Sequence, residues 1–140
     1  MTMTDGGLAR DLVVDDIATA GVVAAHPLPV TVTVRRRLGL FECRVTGQLE
    51  TGTVAAFRAS TDVLAGGDNS VILDLNGLKF MDGYGLDALV VLVRRLRERG
   101  CAVAVRCAGS PLAGALHHVG LDRLVPFFQT FEDAWRYTLG

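Results

Sequence analysis

The sequence predicts an α/β domain with a mixed, mostly parallel sheet of about four or five strands, an N-terminal hairpin and about four helices. Three observations carry this. Val30-Thr-Val-Thr-Val34 alternates strictly and is β-branched throughout, the pattern of a half-buried strand. Val71-Ile-Leu-Asp-Leu75 is nearly continuous and aliphatic, the pattern of a central strand covered on both faces. Downstream of the hairpin, strand patterns alternate with helical ones, which implies parallel pairing.

The elements follow in order. Arg35 to Gly39 reads as a turn, and Leu40 to Val45 as the second hairpin strand, with Phe41, Cys43 and Val45 on one face and Glu42 and Arg44 on the other. Thr53 to Leu64 has helical spacing through Val54, Phe57 and Leu64, and Gly66-Gly67 ends it. Asn76-Gly77 turns the chain after the central strand. Leu86 to Arg99 is the clearest helix: Leu86, Leu89, Val90, Val93 and Leu96 form the apolar stripe, and Arg94, Arg95, Arg97 and Arg99 load its C-terminal half before Gly100. Cys101 to Val105 is the next strand. Ser110-Pro111 caps and opens a helix through Leu116 that ends near Gly120. Val125 to Phe128 is extended, and Thr130-Phe-Glu-Asp133 opens a last helix through Trp135 and Tyr137. Helices are expected chiefly on one face of the sheet.

The chain of 140 residues suits one domain, and 50% hydrophobic with 21% charged residues allows a packed core. A net charge of −1 argues against nucleic-acid binding, which needs a basic surplus. No stretch is long and apolar enough for a membrane span. Residues 1–28 read as an N-terminal extension to a domain at 29–140: four acids against one base there, with Pro27 and Pro29 marking the boundary. Asp15-Asp16 is a candidate cap for a short helix weakened by Gly21; a loose tail and a partner-packing element are both open. That acidic start is unlike a secretory signal. Cys43, Cys101 and Cys107 make no disulfide framework, so reduced thiols in a cytoplasmic protein are expected.

The stretch most informative for function is Asp82-Gly-Tyr-Gly85, where the central strand's turn meets the strongest helix. A helix start presents unpaired N–H groups, and two glycines allow close backbone approach. Residue chemistry alone favours a plain cap and turn, with an anion site as the alternative.

Four segments carry a resemblance. Val45-Thr-Gly-Gln-Leu-Glu50 follows the hairpin; Val71-Ile-Leu-Asp-Leu-Asn-Gly-Leu-Lys-Phe-Met-Asp82 spans strand and loop; Gly120-Leu-Asp-Arg-Leu124 precedes the last strand; Phe131-Glu-Asp-Ala134 opens the last helix. In this order, over residues 30–138, they resemble the STAS domain (sulphate transporter and anti-sigma factor antagonist). The resemblance implies a non-enzymatic regulatory module in bacterial transcription control and signal transduction, whose partner is an anti-sigma factor or related serine kinase. In the antagonists the loop is Asp-Ser-[Ser/Thr]-Gly, and its second hydroxyl residue is phosphorylated. Here Asp82 and Gly85 match, Gly83 replaces the first serine, and Tyr84 falls on the phosphorylated position. A phenol sets its oxygen several ångströms further out than a short hydroxyl, so serine phosphorylation is not expected to control this loop. The expected partner surface is Asp82, Gly83, Tyr84, Gly85, Leu86 and Asp87, with Tyr84 as an aromatic anchor. The alternatives are a nucleotide- or small-ligand-sensing STAS module and a scaffold subunit of a stress-signalling or lipid-transport assembly. A homo-oligomer is compatible; an intact transporter is not implied.

The remaining groups have plainer explanations. Cys101 and Cys107 are roughly 20 Å apart along an extended strand, so a redox role would require Cys43 on a neighbouring strand. His117-His118 suits a helix C-terminus and diverges too far to clamp a metal. No metal or other cofactor is expected. No phosphate-binding loop, dinucleotide fingerprint or nucleophile elbow is present.

Overall fold

The computed structural model describes residues 29–67, 69–107 and 111–139. The expected extension over residues 1–28 and the Ser110 cap lie outside them. Strands β1 (Val30–Arg37) and β2 (Leu40–Leu49) form the antiparallel hairpin, in register from Val30 opposite Gly47 to Arg37 opposite Leu40. The turn is tighter than the sequence suggested. Leu38 (φ 53°) and Gly39 (φ 83°) alone make it, because a two-residue hairpin turn needs positive φ at both positions. Arg36 and Arg37 stay on the strand, with their guanidinium groups over the rings of Phe41 (4.9 Å) and Phe131 (3.8 Å).

Helix α1 (Val54–Ala65) leads to β3 (Val71–Asp74) and β4 (Leu78–Met81), then α2 (Gly83–Glu98), β5 (Val103–Arg106), α3 (Pro111–His118), α4 (Leu121–Leu124), β6 (Phe127–Phe128) and α5 (Phe131–Thr138). The sheet runs β1-β2-β3-β5-β6, parallel from β2 onward. Two elements exceed the expectation. The single turn α4 is one. The other is β4, which pairs parallel with the C-terminal half of β2 while β3 pairs with its N-terminal half. Lys79 and Phe80 are both exposed, so β4 has no alternation to betray it. Its register on β2 shifts between Gly47 and Gln48.

The main core lies between the sheet and α1 to α4. Val32, Val45, Leu73 and Val105 from four strands meet Phe57 of α1, Leu89 and Val93 of α2, and Leu116 of α3, all but fully buried. Each such side chain contributes about 1.5–3 kcal/mol by leaving water. Among the described residues, α5 alone covers the other face, where Ala134 and Phe131 pack on Leu40, Ile72 and Ala104. Beside that smaller apolar patch lies a buried acid pair. Glu42 (1% exposed) and Asp74 (5%) are ringed by Arg37 (3.3 Å to Glu42), Arg44 (3.4 Å to Asp74) and Arg106 (3.3 Å to Asp74). Burying these carboxylates is tolerable only with such partners.

Among the described residues, no helix is long and apolar enough to cross a membrane.

Candidate functional site

The C-terminal ends of β2 and β4 lie side by side, and each runs straight into the start of a helix. Parallel pairing thereby places the loop 50–53 and the Asp82 cap with the first turn of α2 at one corner. Asp82 joins them. Its Oδ1 accepts from Gly85 N–H (2.9 Å), capping α2, and its Oδ2 accepts from both the N–H (3.0 Å) and the hydroxyl (2.9 Å) of Thr51. Its own N–H donates to Leu49 O (3.3 Å). The Gly85 amide above all holds the Asp82 carboxyl below its ordinary range; desolvation opposes it, and the two Thr51 donors and the Tyr84 amide add to the lowering. Across the corner, Thr53 donates its hydroxyl to Gln48 O (2.8 Å) and accepts from Glu50 N–H (3.0 Å), which fixes the entry to α1.

Helix α2 begins at Gly83, three residues earlier than the apolar spacing indicated, because this cap draws Gly83, Tyr84 and Gly85 into its first turn. The two glycines differ sharply. A β-carbon on Gly85 would lie 2.1 Å from Leu49 O, whereas one on Gly83 would meet nothing within 4 Å. Gly85 is therefore a packing requirement and Gly83 an open position.

The six residues expected at the partner surface are contiguous here but not equivalent. Gly83, Tyr84 and Asp87 are exposed, Asp82 and Leu86 are half-buried, and Gly85 is buried, so it shapes the corner without facing outward. Tyr84 is 68% exposed, the largest value among the exposed large hydrophobic side chains described. Sequence reasoning missed Thr51, and also Phe80 and Val119, which are exposed apolar side chains on β4 and beyond α3. An open depression of about 440 Å³ is bounded by Asp82, Gly83, Tyr84 and Asp87. A second, of about 180 Å³, runs between Met81, Gly83 and Leu86 on one side and Leu112, Leu116 and Val119 on the other.

The cysteines stand apart from this corner. Cys43, Cys101 and Cys107 are buried and none is in a disulfide. Burial, then the neighbouring Asp74 and Glu42 carboxylates, push the Cys43 thiol up to about 12. The neighbouring-strand condition for a redox pair is not met: β3 lies between β2 and β5, which puts Cys43 roughly 10 Å from the β5 backbone, beyond disulfide reach. His117 Nδ1 pairs with Asp122 Oδ2 at 2.9 Å, and the imidazole holds that carboxyl below its ordinary range. Among the described residues no group of three or more His, Cys, Asp or Glu is placed to hold a metal ion.

The family model for the STAS domain matches residues 31–134. No curated protein sequence matches the chain. Among solved structures, an anti-sigma factor antagonist from Mycobacterium paratuberculosis superposes with a TM-score of 0.72 at 21% identity, covering 79% of this chain and 95% of that one. The unphosphorylated anti-sigma factor antagonist SpoIIAA gives 0.56 at 19% identity, over 76% and 94%. The murine anion transporter Slc26a9 gives 0.64 at 18% identity, over 75% of this chain but 18% of the transporter. At these identities the likeness establishes the fold.

Proposed function

Since the chain belongs to the STAS domain family, we propose that it is a non-enzymatic protein–protein module of the anti-sigma factor antagonist type, acting in the cytoplasm. It binds an anti-sigma factor or related serine kinase-like protein, and it does so through the corner formed by Asp82–Asp87. The observation that carries this is Tyr84: a large aromatic ring, 68% exposed, on a turn whose backbone is fixed by Asp82. An exposed aromatic ring next to a depression is the residue type enriched at interface hot spots. Several structural neighbours are anti-sigma factor antagonists by name, which supports this partner class.

Serine phosphorylation of this loop does not control the binding, because residues 83 and 84 carry no short hydroxyl. A nucleotide is the weaker occupant. The depression beside Tyr84 is bounded by Asp82 and Asp87, whose carboxylates repel phosphate.

Affinity capture with the wild type, Asp82→Ala and Tyr84→Ser tests the proposal. The wild type is expected to retain an anti-sigma factor-like protein that both variants lose. Equal retention by all three rejects the corner as the interface. Separately, phosphate mapped to residues 82–87 after incubation with that partner and ATP rejects the statement on serine phosphorylation.

A further inference from the structure

Two depressions lie along the flank of α2 that faces α3 and α4, and they differ in chemistry. The one nearer the corner, of about 180 Å³, is apolar: Leu86 borders it on α2, Leu112 and the exposed Val119 on the other side. The one toward the C-terminus of α2, of about 270 Å³, is bordered by Arg94, Arg97 and Leu124, with Glu98 at its rim. Leu86, Val90, Arg94 and Arg97 follow at helical spacing and so share one face of α2.

The described chain begins close by. β1 is antiparallel to β2, so its first residue lies at the end of the sheet that carries the corner. Val30, Gly47 and Leu78 stand side by side across β1, β2 and β4. Pro29 is therefore two strand spacings, roughly 10 Å, from β4.

We propose that residues 1–28 dock along this flank of α2, with Ile17–Ala25 over the apolar depression and Asp11, Asp15 and Asp16 against Arg94 and Arg97. The order of the segment matches the order of the surface. Read back from Pro29, residues 17–25 are uncharged and mostly apolar, and residues 11–16 carry three acids. Read from the corner, the flank is apolar at Leu86 and Val119 and basic at Arg94 and Arg97. The lengths match as well. Leu86 and Arg97 are roughly 16 Å apart along the helix, and Asp11 to Val22 spans as many residues, so the segment covers the flank even at a helical rise. Residues 23–28, extended, reach roughly 20 Å, enough to cross from Pro29 past β4.

Gly83 and Leu86 border both the apolar depression and the proposed partner surface. The docked segment and the partner therefore exclude one another; this consequence alone rests on the reading of the Asp82–Asp87 corner as the interface.

The test places the photo-crosslinking residue p-benzoylphenylalanine at position 119 of the full chain. Irradiation and peptide mapping are expected to join position 119 to residues 17–25 within one chain, at monomer mass. The same residue at position 63, a comparably exposed valine of α1 (41% against 49%), is expected to give no such product. Arg94→Glu is expected to lower the yield about fivefold, and Asp15→Arg with Asp16→Arg in the same chain to restore it. Thermal melts check that each protein is folded. No product with residues 17–25, equal product from positions 63 and 119, or crosslinks only between two chains overturns the docking. Ile17→Asp with Val22→Asp in the full chain is expected to abolish the crosslink and to raise capture of the partner about threefold or more. Crosslink lost with capture unchanged overturns the exclusion. The crosslink formed with no anti-sigma factor-like protein captured by either chain removes the partner assignment and leaves the docking standing.

Discussion

The carbonyl oxygen of Leu49 occupies the space that a β-carbon on Gly85 would need, at 2.1 Å. The end of β2 thus lies against the first turn of α2 with no room for a side chain between them. Gly85→Ala must push β2 and α2 apart, since the obstructing atoms are backbone. Urea denaturation is expected to show a loss of about 2–4 kcal/mol for Gly85→Ala. Gly83→Ala, with open space, is expected to be neutral or to gain up to about 1 kcal/mol.

The same contrast bears on positions 83 and 84, which carry glycine and tyrosine. The double variant Gly83→Ser, Tyr84→Ser restores the family's hydroxyl pair on a backbone that already has room for it. It is expected to melt within a few degrees of the wild type. It is also expected to accept phosphate at position 84 from an anti-sigma factor kinase, read by site mapping.

Acid should loosen this corner. Asp82 and Asp122 both have carboxyls held below their ordinary value of 3.8. Their stabilisation is therefore fully present above pH 3.8 and is lost as pH falls through the lower folded-state values. Thermal melts from pH 5 downward are expected to fall less steeply for Asp82→Asn than for wild type. Asp122→Asn, which does not touch the Asp82 cap, separates the contribution of the His117 pair.

Removing one member of the acid pair under α5 leaves cations without their counter-charge. Glu42→Gln is expected to cost about 1–3 kcal/mol in urea denaturation, moderated because Arg37 and Arg44 are nearly half-exposed. It should leave partner capture unchanged, since α5 covers the opposite sheet face.

Thiol reagents provide a check on the cysteines. With its thiol pushed up to about 12 and fully buried, Cys43 is expected to react with Ellman's reagent only as fast as the protein unfolds.

Much of this architecture was legible because burial imposes period. Val30–Val34, Val71–Leu75 and the Leu86–Leu96 stripe each face a core, and each lies where its spacing indicated. β4 was not legible: in four residues, with Leu78 buried and Lys79 and Phe80 both exposed, no alternation is written. Tertiary capping moved the start of α2, since Asp82 needs the amide of Gly85 rather than any apolar spacing. Residues 82–87 were visible in the sequence as a strand–glycine–helix junction. Thr51 was not, because its place opposite Asp82, 31 positions away, depends on the parallel pairing of β2 with a strand that had left no signature.

Calorimetric titration of the captured, purified partner into wild type and Tyr84→Ala is the most direct measurement. Loss of a rigid aromatic anchor is expected to weaken the affinity by about 30-fold or more, with the melting temperature unchanged because the ring is exposed. Equal affinity in the two proteins would contradict the assignment of this corner as the recognition surface.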